Sequence, residues 1–359
     1  MGRLDNIQVA RGLAAAMVVV QHSVAQLNNH PIAGMGSITL FSEKGFGNGV
    51  DLFFVISGFI MVYITANRRG SDGSPWSFFL NRLIRVAPLY WIFTVLMVAV
   101  ATVTPGSVNE GIGSAWQVVA SFLFIPAPRA DGLMHPVLGL GWTLNYEFFF
   151  YTCFAFSMLL PRAIGPFVVA LLFAALAIAN PVMGGGILGF WSDPIILEFV
   201  LGMGIALLFL RGMRLTPWVA VLVGAGGLAA GMYLPGAVPW AHRVFVSGVP
   251  SAFVIAAFAL APQRAWPAIP MAIGNASYAL YLSHPFALNV TTKAWQMLRL
   301  PNERFLYAAA LCIAALVAGY LVHRLVERPI ERAARRMRGR GDRQEDVSRT
   351  PAYQAAPAR

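Results

Sequence analysis

Residues 9–27 read VARGLAAAMVVVQHSVAQL. Ten residues separate Arg11 from His22, and only Gln21 among them is polar. The apolar segment, taken over 8–27, has the roughly 20 residues that a helix needs to cross a bilayer. An ionisable side chain in mid-bilayer costs about 2.5–3.5 kcal/mol on insertion scales, so this helix carries two groups that need a purpose. An offset of eleven residues turns through about 1100°, some 20° from three full turns, and rises about 16 Å. Arg11 and His22 therefore share one helical face, with Arg11 near one end of the span and His22 in the opposite half.

The rest of the chain repeats the apolar theme. Further apolar runs lie near 49–66, 84–104, 140–160, 164–180, 190–210, 217–234, 243–261, 271–291 and 305–325. Hydrophobic residues make up 58% and charged residues only 11% of the 359 positions, about half the charge of a soluble domain. The mean hydropathy of +0.65 agrees. The fold class expected is all-α, a polytopic membrane bundle of about ten transmembrane helices. The stretch SAWQVVASFLFIP, 114–126, is too short to span and reads as re-entrant or interfacial.

A net charge of +11 raises the question of nucleic acid. The positive residues, however, sit in short patches between apolar runs. With the N-terminus in the cytoplasm, the inner side receives Arg68, Arg69, Arg162, Arg211, Arg214, Arg264 and the arginine-rich tail. The outer side holds Lys44, Arg129, Arg243, Lys293, Arg299 and Arg304. This is the positive-inside pattern, with both termini cytoplasmic and no nucleic-acid partner. The start imitates a signal peptide, but Gln21 and His22 interrupt its apolar core, and it reads as a retained helix. Residues 1–330 form the membrane domain, and 331–359 a basic, disordered cytoplasmic tail drawn to anionic lipid. Cys153 and Cys312 lie apart inside apolar runs and read as packing residues, and no His/Cys spacing suggests a metal.

Two groups of polar residues stand out. In NRLIRVAPLYW, Arg82 and Arg85 are three apart on one face. Pro88 falls in the early turns of its expected helix, where proline is best tolerated. With Arg11 they form a basic layer at inner depth, suited to a polyanion because guanidiniums pair bidentately with phosphates. Asp51 in GNGVDLFFVISGF, Glu147 in GWTLNYEFFFYTCFAF and His284 in SYALYLSHPF reach, by counting depth, one outer-half layer with His22. A histidine with a carboxylate to orient it is the usual general-base arrangement. A structural polar network is the competing reading for Asp51 and His284. Trp142, Tyr146, Tyr278 and Tyr281 fit an interfacial belt or helix packing as well as a sugar platform.

These residues carry a resemblance. LDNIQVARGLAAAMVVVQH is similar to the Arg-x10-His motif of the acyltransferase type 3 family of bacterial integral-membrane transferases. GVDLFFVISGFIM, RLIRVAPLYW, WTLNYEFFFY and ASYALYLSHPF resemble that family's later motifs, in the same order, over about 325 residues. The group most similar is that of exopolysaccharide acetyltransferases of succinoglycan-type polymers. One departure is NYE in place of a commoner SVE, which leaves a single acid, Glu147.

The resemblance implies transfer of an acyl group, most often acetyl, from acyl-CoA to a sugar hydroxyl of an exopolysaccharide or its lipid-linked precursor. It implies a multi-pass protein of the bacterial inner membrane, with acyl-CoA as a substrate rather than a resident cofactor. Exopolysaccharide assembly proteins are its expected partners. Arg11, Arg82 and Arg85 would hold the CoA phosphates, and the pantetheine arm would run up the bundle to His22. His22 would act as base with Glu147 or Asp51 orienting it, and Trp142, Ser283 and His284 would meet the acceptor. A transporter or flippase for a lipid-linked saccharide is the rival class, but the inverted repeats it calls for are not visible.

Overall fold

Apolar runs without interior charge close their backbone hydrogen bonds within themselves, the arrangement a helix offers in lipid. The computed structural model describes residues 4–29, 37–38, 46–66, 74–103, 112–334 and 336, and these residues form an all-helical membrane bundle. In chain order the helices are α1 (Asp5–Asn29), α2 (Gly49–Thr65), α3 (Pro75–Val103), α4 (Ala115–Phe122), α5 (Trp142–Ser157), α6 (Gly165–Ala179) and α7 (Gly186–Trp191). They continue as α8 (Leu197–Leu210), α9 (Pro217–Ala237), α10 (Val249–Leu260), α11 (Ala268–Asn275), α12 (Ser277–Met297) and α13 (Arg304–Val322). Six stretches are long and apolar enough to cross a membrane, the last of them running on from α13 to Ala334. Wide π-type turns precede α10 (Val244–Gly248) and follow α13 (His323–Glu327).

Each of the ten apolar runs appears as helix, with three differences. The third begins at Pro75 and not near 84, because Ser74-Pro75 supplies a start at which proline's missing N–H and fixed φ are favourable. Pro88 therefore lies in mid-helix, where it deprives the Ile84 carbonyl of its usual donor. The run at 190–210 is interrupted at Asp193-Pro194, where the Asp193 carboxylate accepts from the Ile195 amide at 2.9 Å. The run at 271–291 divides at Ala276 into α11 and α12. Here α11 lies hard against α1: a Cβ on Gly12 would sit 2.9 Å from the Gly274 backbone nitrogen.

Helix α4 has eight residues, about 12 Å long, capped by the Ser114 hydroxyl, which accepts from the Gln117 amide at 3.1 Å. It is too short to span and lies beside α3, tied there by the Trp91 indole N–H, which donates to the Phe122 carbonyl at 3.0 Å. The most extensive helix pairings join α2 to α8, α12 to α13 and α9 to α10. Glycines permit the first: Gly58 of α2 faces the Phe199 backbone and Gly202 of α8 faces the Val55 carbonyl, leaving no room for a Cβ. Arg68, Arg69, His30, Lys44 and most of the basic tail lie outside the described residues.

Candidate functional site

Helix α2 runs antiparallel to α1, so the start of α1 lies beside the end of α2. Between them, α3, α5 and α12 enclose a cavity of about 360 Å³. One end is lined by Leu4, just before α1, Gln8 and Arg11 of α1, Ile64 of α2, and Arg82 and Arg85 of α3. Toward the other end come Val50, Phe53, Thr143 and Tyr281. All three arginines singled out from sequence thus face one space, and Arg85 is exposed at its mouth.

Glu147 also lines this cavity. Its carboxylate accepts a hydrogen bond from the Ser57 hydroxyl at 3.0 Å and another from the Tyr151 hydroxyl. Its charge is one of those that act on Arg11. Depth counting grouped Glu147 with His22. The structure instead joins it to the arginines, because height along a helix does not fix the direction in which a side chain points.

Asp51 is likewise not the partner of His22. It is fully buried and accepts from Arg243 Nε at 2.8 Å and Nη2 at 2.6 Å, a bidentate pair. Arg243 also donates to the Gly47 carbonyl at 3.3 Å. Cavity-facing positions on α2 recur as Val50, Phe53 and Ser57, a helical stripe. One residue beyond Val50, Asp51 is turned about 100° away. Fully buried Glu198 stands beside the pair, close against Gly248.

His22 is not among the cavity's lining residues. Its ring stands 4.9 Å, centroid to centroid, from that of His284, which is fully buried. The Nδ1 atoms face carbonyls of their own helices, His22 toward Val18 at 2.9 Å and His284 toward Leu280 at 3.2 Å. Tyr281 links the two regions. Its ring is 6.2 Å from that of His284 and 5.9 Å from that of Phe53, and its hydroxyl donates to the Leu140 carbonyl at 3.0 Å. Ser283 is buried beside His284 and outside the cavity lining. Trp142 is also outside it, packed edge-on against Phe54 and Tyr146 at 6.2 and 5.9 Å.

Sequence reading missed several members. Tyr151 follows Glu147 by four residues, a helical spacing that brings side chains together and was available as a signal. At the π-turn after α13, His323 Nδ1 meets the Glu327 carboxylate at 2.6 Å and His323 Nε2 accepts from Arg328 Nε at 3.1 Å. Glu327 is a second carboxylate whose charge reaches Arg11. Arg243 and Glu198 gave no local signal, since their partner Asp51 lies well over a hundred residues away.

The family described as "Acyltransferase domain" matches residues 4–324. The chain belongs to this acyltransferase type 3 family. It is 36% identical to the exopolysaccharide production protein ExoZ of Rhizobium meliloti, over 81% of this chain and 91% of that protein. It is 28% identical to the acyltransferase MdmB of Streptomyces mycarofaciens, over 94% of each. No solved structure matches it significantly. The protein is therefore a multi-pass membrane acyltransferase.

Proposed function

We propose that this acyltransferase moves an acetyl group from acetyl-CoA to a sugar hydroxyl of an exopolysaccharide or its lipid-linked precursor. The observation that carries the reading is the convergence of Arg11, Arg82 and Arg85 on one end of a cavity that Tyr281, the neighbour of His284, also lines. Three guanidiniums line one end of this cavity, a setting that suits a polyanion such as the CoA phosphates. The cavity is at the small end of ligand pockets, which suits a slender chain and leaves the nucleotide at the mouth. The relative in Rhizobium meliloti supports exopolysaccharide as the acceptor class.

In this reading His22 takes the hydroxyl proton as the sugar oxygen attacks the thioester carbonyl. The C–S bond breaks, and the CoA thiolate leaves with a proton. The acyl end must pass Phe53 and Tyr281 to reach the imidazole, so these rings have to part. The loop charges support a bacterial cytoplasmic-membrane location with both termini inside. Polymer from a strain deleted for the gene should lack O-acetyl signals in its proton NMR spectrum and regain them when the gene is restored. An unchanged spectrum in the deletion strain would remove the assignment. A C-terminal fusion to a reporter active only outside the cytoplasm should give no signal, and activity there would reverse the topology.

A further inference from the structure

From the His22–His284 geometry we infer that the two imidazoles work as a pair, with His284 accepting a hydrogen bond from His22 once His22 has taken the acceptor's proton. This rests on the reading of His22 as the base.

A carbonyl oxygen can only accept, so the contacts of His22 Nδ1 with Val18 and of His284 Nδ1 with Leu280 place a hydrogen on each Nδ1. In the neutral rings each Nε2 then keeps its lone pair. His284 Nε2 is buried and has no hydrogen-bond partner among the described residues, a costly state for a polar atom that the fold keeps. The neighbouring Ser283 hydroxyl is in the same condition. Among the described residues no carboxylate is bonded to His22: Asp51 is held by Arg243, and Glu147 accepts from Ser57 and Tyr151. The His284 ring stands 4.9 Å away, centroid to centroid, with its Nε2 open to accept.

The balance is simple. The hydroxyl O–H bond breaks as the C–O bond forms, and the proton joins His22 Nε2. That N–H is shared between the oxygen it came from and His284 Nε2 while the tetrahedral adduct lasts. The C–S bond then breaks, the proton passes to the CoA sulfur, and both rings return to their neutral forms. Pro285 helps to hold the partner ring: lacking an N–H, it frees the Tyr281 carbonyl within the turn that carries His284.

The test measures label transfer from radioactive acetyl-CoA to saccharide in membranes of the deletion strain that re-express each variant. His284→Ala should lower kcat about 10²-fold, at the low end of the range for proton-transfer groups, with the KM for acetyl-CoA unchanged. His284→Gln, whose amide oxygen can accept near the position of Nε2, should recover much of that loss, and added imidazole should partly restore His284→Ala. Wild-type kcat in His284→Ala would overturn the pair. So would a loss shared equally by His284→Gln and unmoved by imidazole, which is what a purely structural role predicts. His22→Ala run alongside separates the two claims. If it is inactive while His284→Ala is fully active, the base stands and only the pair fails. If His22→Ala itself is fully active, the reading of His22 falls and takes the pair with it.

Discussion

Two of the places where the protein brings arginine and carboxylate together are built differently. At Asp51–Arg243 a bidentate ion pair closes on itself: the carboxylate is fully buried, and both its oxygens accept from the guanidinium. It joins α2 to Arg243, the residue before the π-turn that leads into α10. At the other site Arg11, Arg82 and Arg85 line an open cavity with Glu147, whose hydrogen bonds go to uncharged hydroxyls. In the first, each carboxylate oxygen meets a guanidinium nitrogen, whereas in the second the guanidiniums face a cavity. Charged residues in a membrane sequence look alike until their partners are known.

Perturbing the two sites should have opposite signatures. The largest effect is expected at the closed pair. Arg243→Ala leaves the Asp51 carboxylate buried without its partner, which should cost about 3–5 kcal/mol of stability. Thermal unfolding in detergent would report it, and the folded fraction should bind acetyl-CoA as before. An Asp51→Leu/Arg243→Met double variant should recover most of the loss, since removing both charges avoids the orphan. If the double variant is no more stable than the single one, the pair is not what holds α2 to the turn.

The next largest effect lies in the cavity and appears in binding. Arg82→Ala removes a charged donor and should weaken acetyl-CoA binding by about 1.5–3 kcal/mol, with a smaller change in unfolding temperature than Arg243→Ala. Arg82→Lys should lose less, because part of the interaction is charge alone. Equilibrium binding of labelled acetyl-CoA decides it, and undiminished binding by Arg82→Ala and Arg85→Ala would erase the distinction between the sites. The smallest effect belongs to Tyr151→Phe. It deletes one of the two hydroxyl donors to Glu147 and should cost about 1 kcal/mol in stability, with donor binding shifted less than in Arg82→Ala.

Much of this was legible in the chain. Every apolar run became helix, α4 stayed too short to span, and the face shared by Arg11 and His22 follows from helical repeat alone. Arg11, Arg82 and Arg85 converge as their depths implied. What failed was direction and partner choice. Asp51, Glu147, His22 and His284 were grouped by depth, yet Asp51 turns to Arg243 and Glu147 to Ser57 and Tyr151. Helix α3 starts nine residues before its apolar run because Ser74-Pro75 begins the helix in a partly polar stretch that apolar content does not mark.

Sequence by itself determined the membrane class, the helical segments and the residue types that acyl transfer needs. These follow from local properties: apolar length, charge cost in lipid and a fixed 100° turn per residue. Only the tertiary structure decided that His22 faces His284, that Asp51 faces Arg243, and that Glu147 shares a cavity with three arginines. Each of those choices depends on how one helix is rotated against another. In this bundle that rotation is fixed by close contacts such as Gly58 on the Phe199 backbone and Gly12 on Gly274. Such contacts join residues far apart in the chain, where no local pattern can specify them.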